Sequence, residues 1–184
     1  MNHEATGSPD GTEADHPRPD TLNEVGVLKR REIEARIVAP LIERLGEEFG
    51  VDRVTELARE VVVSVARQQG DELAGALGGN DLGAFADSME NWTKGGALEL
   101  EIVEQADDVF AFNVTRCRYA EMYRSLGIPE LGALFSCNRD GTMVEGFNPD
   151  ITFERTQTIM SGASHCDFRY QLPGGTSVEL GSTR

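Results

Sequence analysis

Residues 98–117, LELEIVEQADDVFAFNVTRC, decide the fold. From residue 98 to 102, leucine and isoleucine alternate with glutamate, and this period of two predicts a half-buried β-strand. Residues 105–108, QADD, have the composition of a turn, and 109–116 predict the returning strand. The stretch therefore predicts an antiparallel hairpin that separates a helical first half of the chain from a sheet-forming second half.

The segment farthest upstream of this hairpin has helical periodicity. In residues 25–49 apolar side chains recur every four positions, which predicts an amphipathic helix that buries them. These side chains are Ile33, Ile37, Leu41 and Leu45. Pro40 lies inside the segment and is expected to kink or break the helix, because proline removes one backbone hydrogen bond. Gly50 is a typical helix end.

Two further helices are predicted before the sheet. Residues 52–77 carry a wide apolar stripe, which favours a helix at the centre of the core. The stripe consists of Val54, Leu57, Ala58, Val61, Val62, Val65 and Ala66. Residues 81–92 predict a shorter helix with Leu82, Phe85 and Met89 facing inward.

The chain after the hairpin alternates between helical and extended patterns. Residues 117–126 and 129–137 predict two helices, whereas 138–142, NRDGT, have the composition of a loop. Residues 151–160 and 165–172 predict two strands joined by a turn. The fold class is therefore α+β, with N-terminal helices packed on an antiparallel sheet that is interrupted by a two-helix insertion.

The ends of the chain differ in composition from its middle. Residues 1–24 are acidic and have almost no large apolar side chain, so we predict a disordered tail. Residues 25–172 then form a single α+β domain, and 173–184 a short C-terminal tail.

Charge and hydropathy argue against several functional classes. The 184-residue chain has a formal net charge of −15, which argues against nucleic acid and anionic membranes as partners, because both are negatively charged. No apolar run approaches the roughly 18 residues of a membrane span, and the first residues have no apolar signal segment. We therefore predict a cytoplasmic protein whose partner is a small-molecule substrate. Both a monomer and a homo-oligomer are compatible with these observations.

Three cysteines are the candidate nucleophiles. Cys117 stands where a strand becomes a helix, Cys137 is followed by Asp140, and Cys166 begins the last strand. An odd count in a reducing compartment argues against disulfides. Packing in the core is the alternative for each one, because free cysteines are among the most buried residues. We hypothesise that the three converge at strand ends with Asp140 and Asp167, although 20 and 29 residues separate them in sequence.

Other polar side chains are candidates for substrate binding. Arg116, Arg155 and Arg169 lie on or beside strands, and a guanidinium binds a carboxylate through paired hydrogen bonds. His165 is the one histidine outside the N-terminal tail. Three thiolates with His165 or a nearby carboxylate could form a zinc site, but the cysteine spacing matches no metal signature. We therefore predict neither metal nor cofactor.

Six motifs of the second half form a recognisable set. They are Cys117 before an aromatic helix, 126–132 (LGIPELG), Cys137-x-x-Asp140, 145–147 (EGF), 155–158 (RTQT) and Gly162-x-x-x-Cys166-Asp167-Phe168. The set resembles the L-2-amino-thiazoline-4-carboxylic acid hydrolase family over about residues 110–170, roughly a third of the chain. One departure is Arg139, where the family pattern has an acidic or small residue. The last motif also resembles small-molecule-binding 4-vinyl-reductase-like domains.

This resemblance implies a hydrolase that adds water to the amidine carbon of a small cyclic carboxylate, such as 2-amino-thiazoline-4-carboxylate. Ring opening gives an N-carbamoyl amino acid. The implied catalytic residues are Cys117, Cys137, Asp140, Cys166 and Asp167. The implied substrate-binding residues are Arg116, Arg155, His165 and Arg169. The alternative is a non-catalytic sensory domain that holds a small molecule in the same pocket.

Deletion of residues 1–24 is expected to leave the melting temperature of the protein nearly unchanged. The segment offers almost no apolar surface that a domain could bury, so its removal should cost little stability. Thermal unfolding of the full and truncated chains measures the effect, and a clear fall on truncation would show that the segment docks on the domain.

Overall fold

The computed structural model describes residues 22–173. Five helices come first: α1 (Leu22–Val25), α2 (Val27–Phe49), α3 (Val51–Leu77), α4 (Leu82–Asp87) and α5 (Glu90–Thr93). A 3₁₀ turn leads to strands β1 (Leu98–Gln105) and β2 (Val109–Cys117). Helical elements follow: α6 (Arg118–Ser125), α7 (Pro129–Gly132), a π-helical turn (Ala133–Cys137) and α8 (Arg139–Phe147). The last elements are β3 (Thr152–Glu154) and β4 (Cys166–Gln171).

The predicted tails fall largely outside the described residues. Residues 1–21 and 174–184 are not described. Helix α1 occupies positions 22–25, so it begins within the segment that the sequence assigned to the N-terminal tail.

The four strands form one antiparallel sheet in the order β1–β2–β4–β3. The predicted hairpin is confirmed as the β1–β2 pair, and β4 is the predicted last strand. Two register irregularities in β1, at Glu99 and near Ile102, interrupt its alternation, and Ile102 is half exposed. Helices followed by an antiparallel sheet confirm the α+β fold class.

Pro40 was expected to kink or break α2, and the helix continues through it, so it does not break there. Proline leaves the carbonyl group of Arg36 without its usual helical donor. Arg36 and Pro40 are both exposed, so water can hydrate this carbonyl and the helix continues. Gly50 ends α2 as predicted, with its backbone N–H donating to the carbonyl of Gly46.

The predicted buried face of α2 is also wrong. Ile33, Ile37 and Leu41 are each more than half exposed. The buried face instead consists of Val27, Arg31, Ala35, Ala39, Ile42 and Gly46. Its small residues allow close packing of the helix. On α3 the predicted stripe is split, since Val54 and Ala66 are buried whereas Val61 is exposed. None of the helices within residues 22–173 has both the length and the apolar character of a membrane span.

The insertion between β2 and β3 contains one more helix than predicted. Residues 138–142 were expected to form a loop, but α8 begins at Arg139. Gly141 and Gly146 are poor helix formers, so the sequence pattern is weak there. The segment is helical because α8 packs tightly on α3.

The contact between α3 and α8 depends on two glycines. A Cβ atom on Gly146 would lie 1.9 Å from the carbonyl oxygen of Arg67, and one on Gly70 would lie 2.0 Å from that of Met143. No side chain fits at such distances, so the two backbones touch directly. This approach fixes the first turn of α8, which carries Arg139 and Asp140, beside α3.

Strand β3 is much shorter than the strand predicted for residues 151–160. The backbone N–H groups of Thr156 and Gln157 donate to the carboxylate of Asp167, at 3.0 and 2.9 Å. The Thr156 hydroxyl donates to the same carboxylate. These donors are satisfied by a side chain instead of a neighbouring strand, so the β-ladder ends at Glu154.

The buried side chains form two clusters. One lies among the helices and includes Ala35, Ile42, Tyr123 and Leu134. The other lies between the sheet and helices α4 and α8, and includes Phe85, Phe112, Val144, Phe147 and Tyr170. Leu98 and Cys117 pack against both clusters, so the two cores meet near the start of β1 and the end of β2.

Replacement Gly146→Ala is expected to destabilise the protein by about 1–3 kcal/mol or more, because the methyl group would overlap the carbonyl of Arg67. The matched control is Gly75→Ala on α3, where an added Cβ meets nothing within 4 Å. That change should stabilise the helix by up to about 1 kcal/mol. Chemical denaturation measures both variants, and equal stability of the two would contradict the close contact.

Candidate functional site

A cavity of about 520 Å³ lies where the two clusters meet. Its wall combines residues of α2 and α3, the α5 segment, β2, the π-helical turn, α8 and β4. A second depression of about 510 Å³ lies between α2 and α6, lined by surface side chains such as Lys29 and Arg118. Only the first contains the candidate cysteines, so it is the candidate site.

Aromatic side chains form much of the cavity wall. Phe112 stacks on Phe168 with ring centroids 4.9 Å apart, and Phe85 meets the edge of Tyr170 at 5.0 Å. Trp92 contributes from α5. Such a wall favours a planar or apolar ligand, and the few polar groups among it set the chemistry.

All three cysteines line this cavity. Cys117 ends β2, Cys137 ends the π-helical turn, and Cys166 begins β4. Cys166 pairs with Val114 across the sheet, three residues before Cys117. The structure therefore brings together side chains that the topology of the sequence placed at the same strand ends. On β4, Phe168 and Tyr170 share the cavity face with Cys166, as alternation along a strand requires.

Burial keeps the three thiols protonated. It raises the pKa of Cys117 to about 11, although the N–H of Ala120 donates to its sulfur at 3.4 Å from the start of α6. Burial, with Asp140 nearby, raises the pKa of Cys137 to about 12. The pKa of Cys166 is also raised by burial, against a 3.2 Å bond from the N–H of Ile159. At neutral pH all three are thiols, which are weak nucleophiles.

Asp140 and Arg155 form an ion pair on the cavity wall. Arg155 also donates to the carbonyl of Cys137 at 3.3 Å, and its guanidinium lies 5.3 Å from the ring centroid of Phe168. These contacts fix the guanidinium and, through it, the carboxylate. About a third of the Asp140 side chain is accessible, but it faces the cavity, where solvent screening is weaker than in bulk water.

Asp140 has the pKa of a group suited to proton transfer near neutral pH. Burial raises the pKa of its carboxyl to about 6, and the attraction of Arg155 only partly opposes this rise. A carboxyl with such a pKa can accept and return a proton under ordinary conditions.

Three arginines of the cavity wall were not among the predicted residues: Arg30, Arg31 and Arg139. Arg31 lies on the buried face of α2, and its Nη1 donates to both carboxylate oxygens of Glu34. Arg139 begins α8 and donates to the side-chain oxygen of Gln69 on α3. Gln69 also lines the cavity. An arginine in the buried register of an amphipathic helix was the available signal for Arg31.

Four predicted site residues do not line the cavity: Arg116, His165, Asp167 and Arg169. Arg116 is exposed and pairs with Glu99 and Glu121.

The other three hold the backbone and loops of the sheet. Asp167 binds the segment after β3, and His165 bonds to Gln157. Arg169 donates to the carbonyl of Phe112 at 2.9 Å. The shared site therefore gathers the three cysteines with Asp140, but without Asp167.

The side chains within residues 22–173 do not form a cluster with the geometry of a metal site. No three side chains of His, Cys, Asp or Glu in this part of the chain converge in a way that could hold a metal ion.

The sequence profile of the family described as L-2-amino-thiazoline-4-carboxylic acid hydrolase matches residues 30–170. The chain belongs to this family. The match includes the helical half as well as the motifs around the cysteines, so the family likeness extends over the elements that build the cavity. None of the curated proteins compared with the chain matches it.

Two solved structures have a weak overall likeness to this chain. The phenol-responsive sensory domain of the transcription activator PoxR with phenol has 11% identity and a TM-score of 0.48, covering 73% of this chain and 72% of that one. A trafficking protein particle complex subunit 3 from Naegleria fowleri, covalently bound to palmitic acid, has 10% identity and a TM-score of 0.47, covering 78% and 95%. At these scores the likeness says nothing about what this family member binds.

The cavity cysteines are expected to react slowly with iodoacetamide at pH 7.5. With thiol pKa values near 11 and 12 for Cys117 and Cys137, their thiolate fractions are at least about a hundredfold below those of an ordinary cysteine. Mass spectrometry of the folded protein measures the rates, with the chain unfolded in guanidinium as control. Rapid modification of either residue in the folded state would contradict these pKa values.

Proposed function

We propose that the cavity hydrolyses a small cyclic amidine carboxylate of the 2-amino-thiazoline-4-carboxylate type, with Asp140 as the proton-transferring group. One observation carries the proposal: a carboxyl group with a pKa of about 6 faces a mainly apolar cavity beside a fixed arginine. Membership of the family supports the reaction class. In this proposal the cysteines are residues of the cavity wall instead of the predicted nucleophiles.

The reaction requires one water molecule. Its oxygen bonds to the amidine carbon while Asp140 accepts a proton from it. The bond between this carbon and the ring sulfur then breaks, and the electron pair leaves with the sulfur. One proton of the water ends on the ring nitrogen and the other on the sulfur, while the oxygen ends as the carbonyl of the N-carbamoyl product.

Asp140 is better suited to both proton transfers than a thiol. Its carboxylate is present above a pKa of about 6, so it is largely charged at neutral pH and can accept a proton from the water. Once protonated, it is acidic enough to donate to a leaving thiolate. Cys117, with a pKa of about 11, would hold its proton too tightly for that step.

Arg155 acts in this proposal as a positioning residue. It pairs with Asp140 and is itself held by the Cys137 carbonyl and the Phe168 ring. The pair keeps the carboxylate pointed along the cavity wall, where an amidinium group of the substrate can take its second oxygen.

Binding without turnover is the second candidate function. The observation that favours it is the wall itself, which is mainly aromatic and aliphatic and encloses about 520 Å³, more than one small ring requires. In this alternative the neutral thiols are packing residues of a sensory pocket.

Incubation with a large excess of L-2-amino-thiazoline-4-carboxylate is expected to release free thiol catalytically. The variant Asp140→Asn should lower kcat by about a hundredfold or more, because general acid–base catalysis contributes about that much. Substrate affinity should change less. Asp107→Asn, at an exposed turn position, is the matched control and should leave the rate unchanged. Binding without any thiol release by the wild type would favour the sensory alternative.

The pH dependence follows from the same carboxyl group. The base form of Asp140 exists above its pKa, so kcat/KM should rise as pH increases through about 6 and level off above 7. Initial rates in buffers of constant ionic strength measure this profile. A profile that instead rises only toward pH 11 would indicate thiolate attack and remove Asp140 from the role of base.

A further inference from the structure

Arg139 is a part-buried cation whose observed partner is neutral. Its guanidinium donates to the side-chain oxygen of Gln69, and within residues 22–173 no carboxylate forms an ion pair with it. The other two arginines described above differ in this respect. Arg155 pairs with Asp140, and Arg31 pairs with Glu34.

This arrangement is electrostatically unfavourable for the chain alone. Burial and the neighbouring charge of Arg31 lower the pKa of Arg139 to about 10, although Glu34 and Asp140 attract the cation, and the guanidinium stays charged at neutral pH. A buried charge normally has an opposite charge beside it, because desolvation is costly. Glu34 and Asp140 are near enough to attract Arg139, but their ion pairs are with Arg31 and Arg155.

The cavity wall carries more arginines than carboxylates, although the molecule is strongly negative. Four guanidinium groups and two carboxylates line it, although the chain carries a formal net charge of −15. Arg31 and Arg155 have carboxylate partners, whereas Arg139 faces the space that a ligand would enter without an ion pair among residues 22–173, so an anion is its complementary occupant.

We infer that Arg139 is the anchor for the carboxylate of the ligand, with Gln69 orienting its guanidinium. This inference rests on the proposed function for the place of the site, and it adds the residue that sets specificity for an organic anion. A guanidinium presents two parallel N–H groups to a carboxylate, and Gln69 fixes the plane in which they lie.

The position of Arg139 in the chain supports a two-point contact. Arg139 and Asp140 are successive residues in the first turn of α8, and both line the cavity. One binds an anion and the other a cation. The ligand class that satisfies both is a small molecule with a carboxylate at one end and an amidinium or ammonium group at the other.

The test compares two probes, L-2-amino-thiazoline-4-carboxylate and its carboxamide, by calorimetric titration. The wild type should bind the carboxylate about tenfold to hundredfold more tightly than the carboxamide, as charge-assisted hydrogen bonds typically give. Arg139→Gln should lose this preference and keep its affinity for the carboxamide. Arg116→Gln, which removes an exposed arginine outside the cavity, is the matched control and should keep the preference.

A second variant keeps the inference testable if Arg139→Gln does not fold. Gln69→Glu leaves Arg139 in place but gives it a carboxylate partner, so anion binding should fall while the melting temperature stays equal or rises. A purely structural role for Arg139 would raise the melting temperature without weakening binding. The two readouts therefore separate the two roles.

Specific outcomes would overturn the inference. They are equal affinity of the wild type for both probes, no measurable binding of the carboxylate, or a full carboxylate preference in Arg139→Gln or Gln69→Glu. Titration at low temperature with short incubation measures binding of the probe and does not require that the protein hydrolyses it. A carboxylate preference that depends on Arg139 in a protein that releases no thiol would support the anchor and reject the proposed hydrolysis.

Discussion

The direct backbone contact of α3 with α8 is the constraint on which the site depends. Gly70 and Gly146 let the helices approach until a Cβ on either one would meet a carbonyl oxygen at 2.0 or 1.9 Å. Gln69 is adjacent to Gly70, so the same contact brings it to Arg139. A wider separation would move the first turn of α8 and open the cavity wall between Gln69 and Arg139.

Burial shifts the pKa of several ionisable groups on the cavity wall. It raises the pKa of the thiols and of Asp140, and it lowers the pKa of Arg139. In each case the neutral form gains. The consequence differs with the starting pKa. The pKa values of the thiols move away from neutral pH, that of Asp140 moves toward it, and Arg139 remains a cation. Burial therefore keeps the cysteines as thiols at neutral pH and brings the pKa of Asp140 close to neutral pH.

The sequence predicted the parts of the fold that depend on local pattern. The hairpin around residues 105–108 follows from alternation and turn composition, and it is present as the β1–β2 pair. The pattern was misleading where tertiary contacts decide. Gly146 weakens the helix signal of α8 because it serves packing, and Asp167 ends β3 by binding N–H groups eleven and ten residues away. A local stretch of sequence does not show such contacts between distant residues.

Only the parts of the site that follow from the order of the strands could be predicted from the sequence. Cys117 and Cys166 lie at the ends of paired strands, so the order of strands was enough to bring them together. Arg31 required a different argument. The apolar stripe on α2 suggested a buried face through Ile33, whereas the helix buries the face of Ala35 and Ala39, which also contains Arg31. Small residues on one face permit a close approach, and the arginine in the same register is then directed inward, with Arg30 beside it on the cavity wall. An arginine in that register, on a helix with abundant solvent-facing positions for charge, is therefore the sequence signal for a polar group on an internal wall.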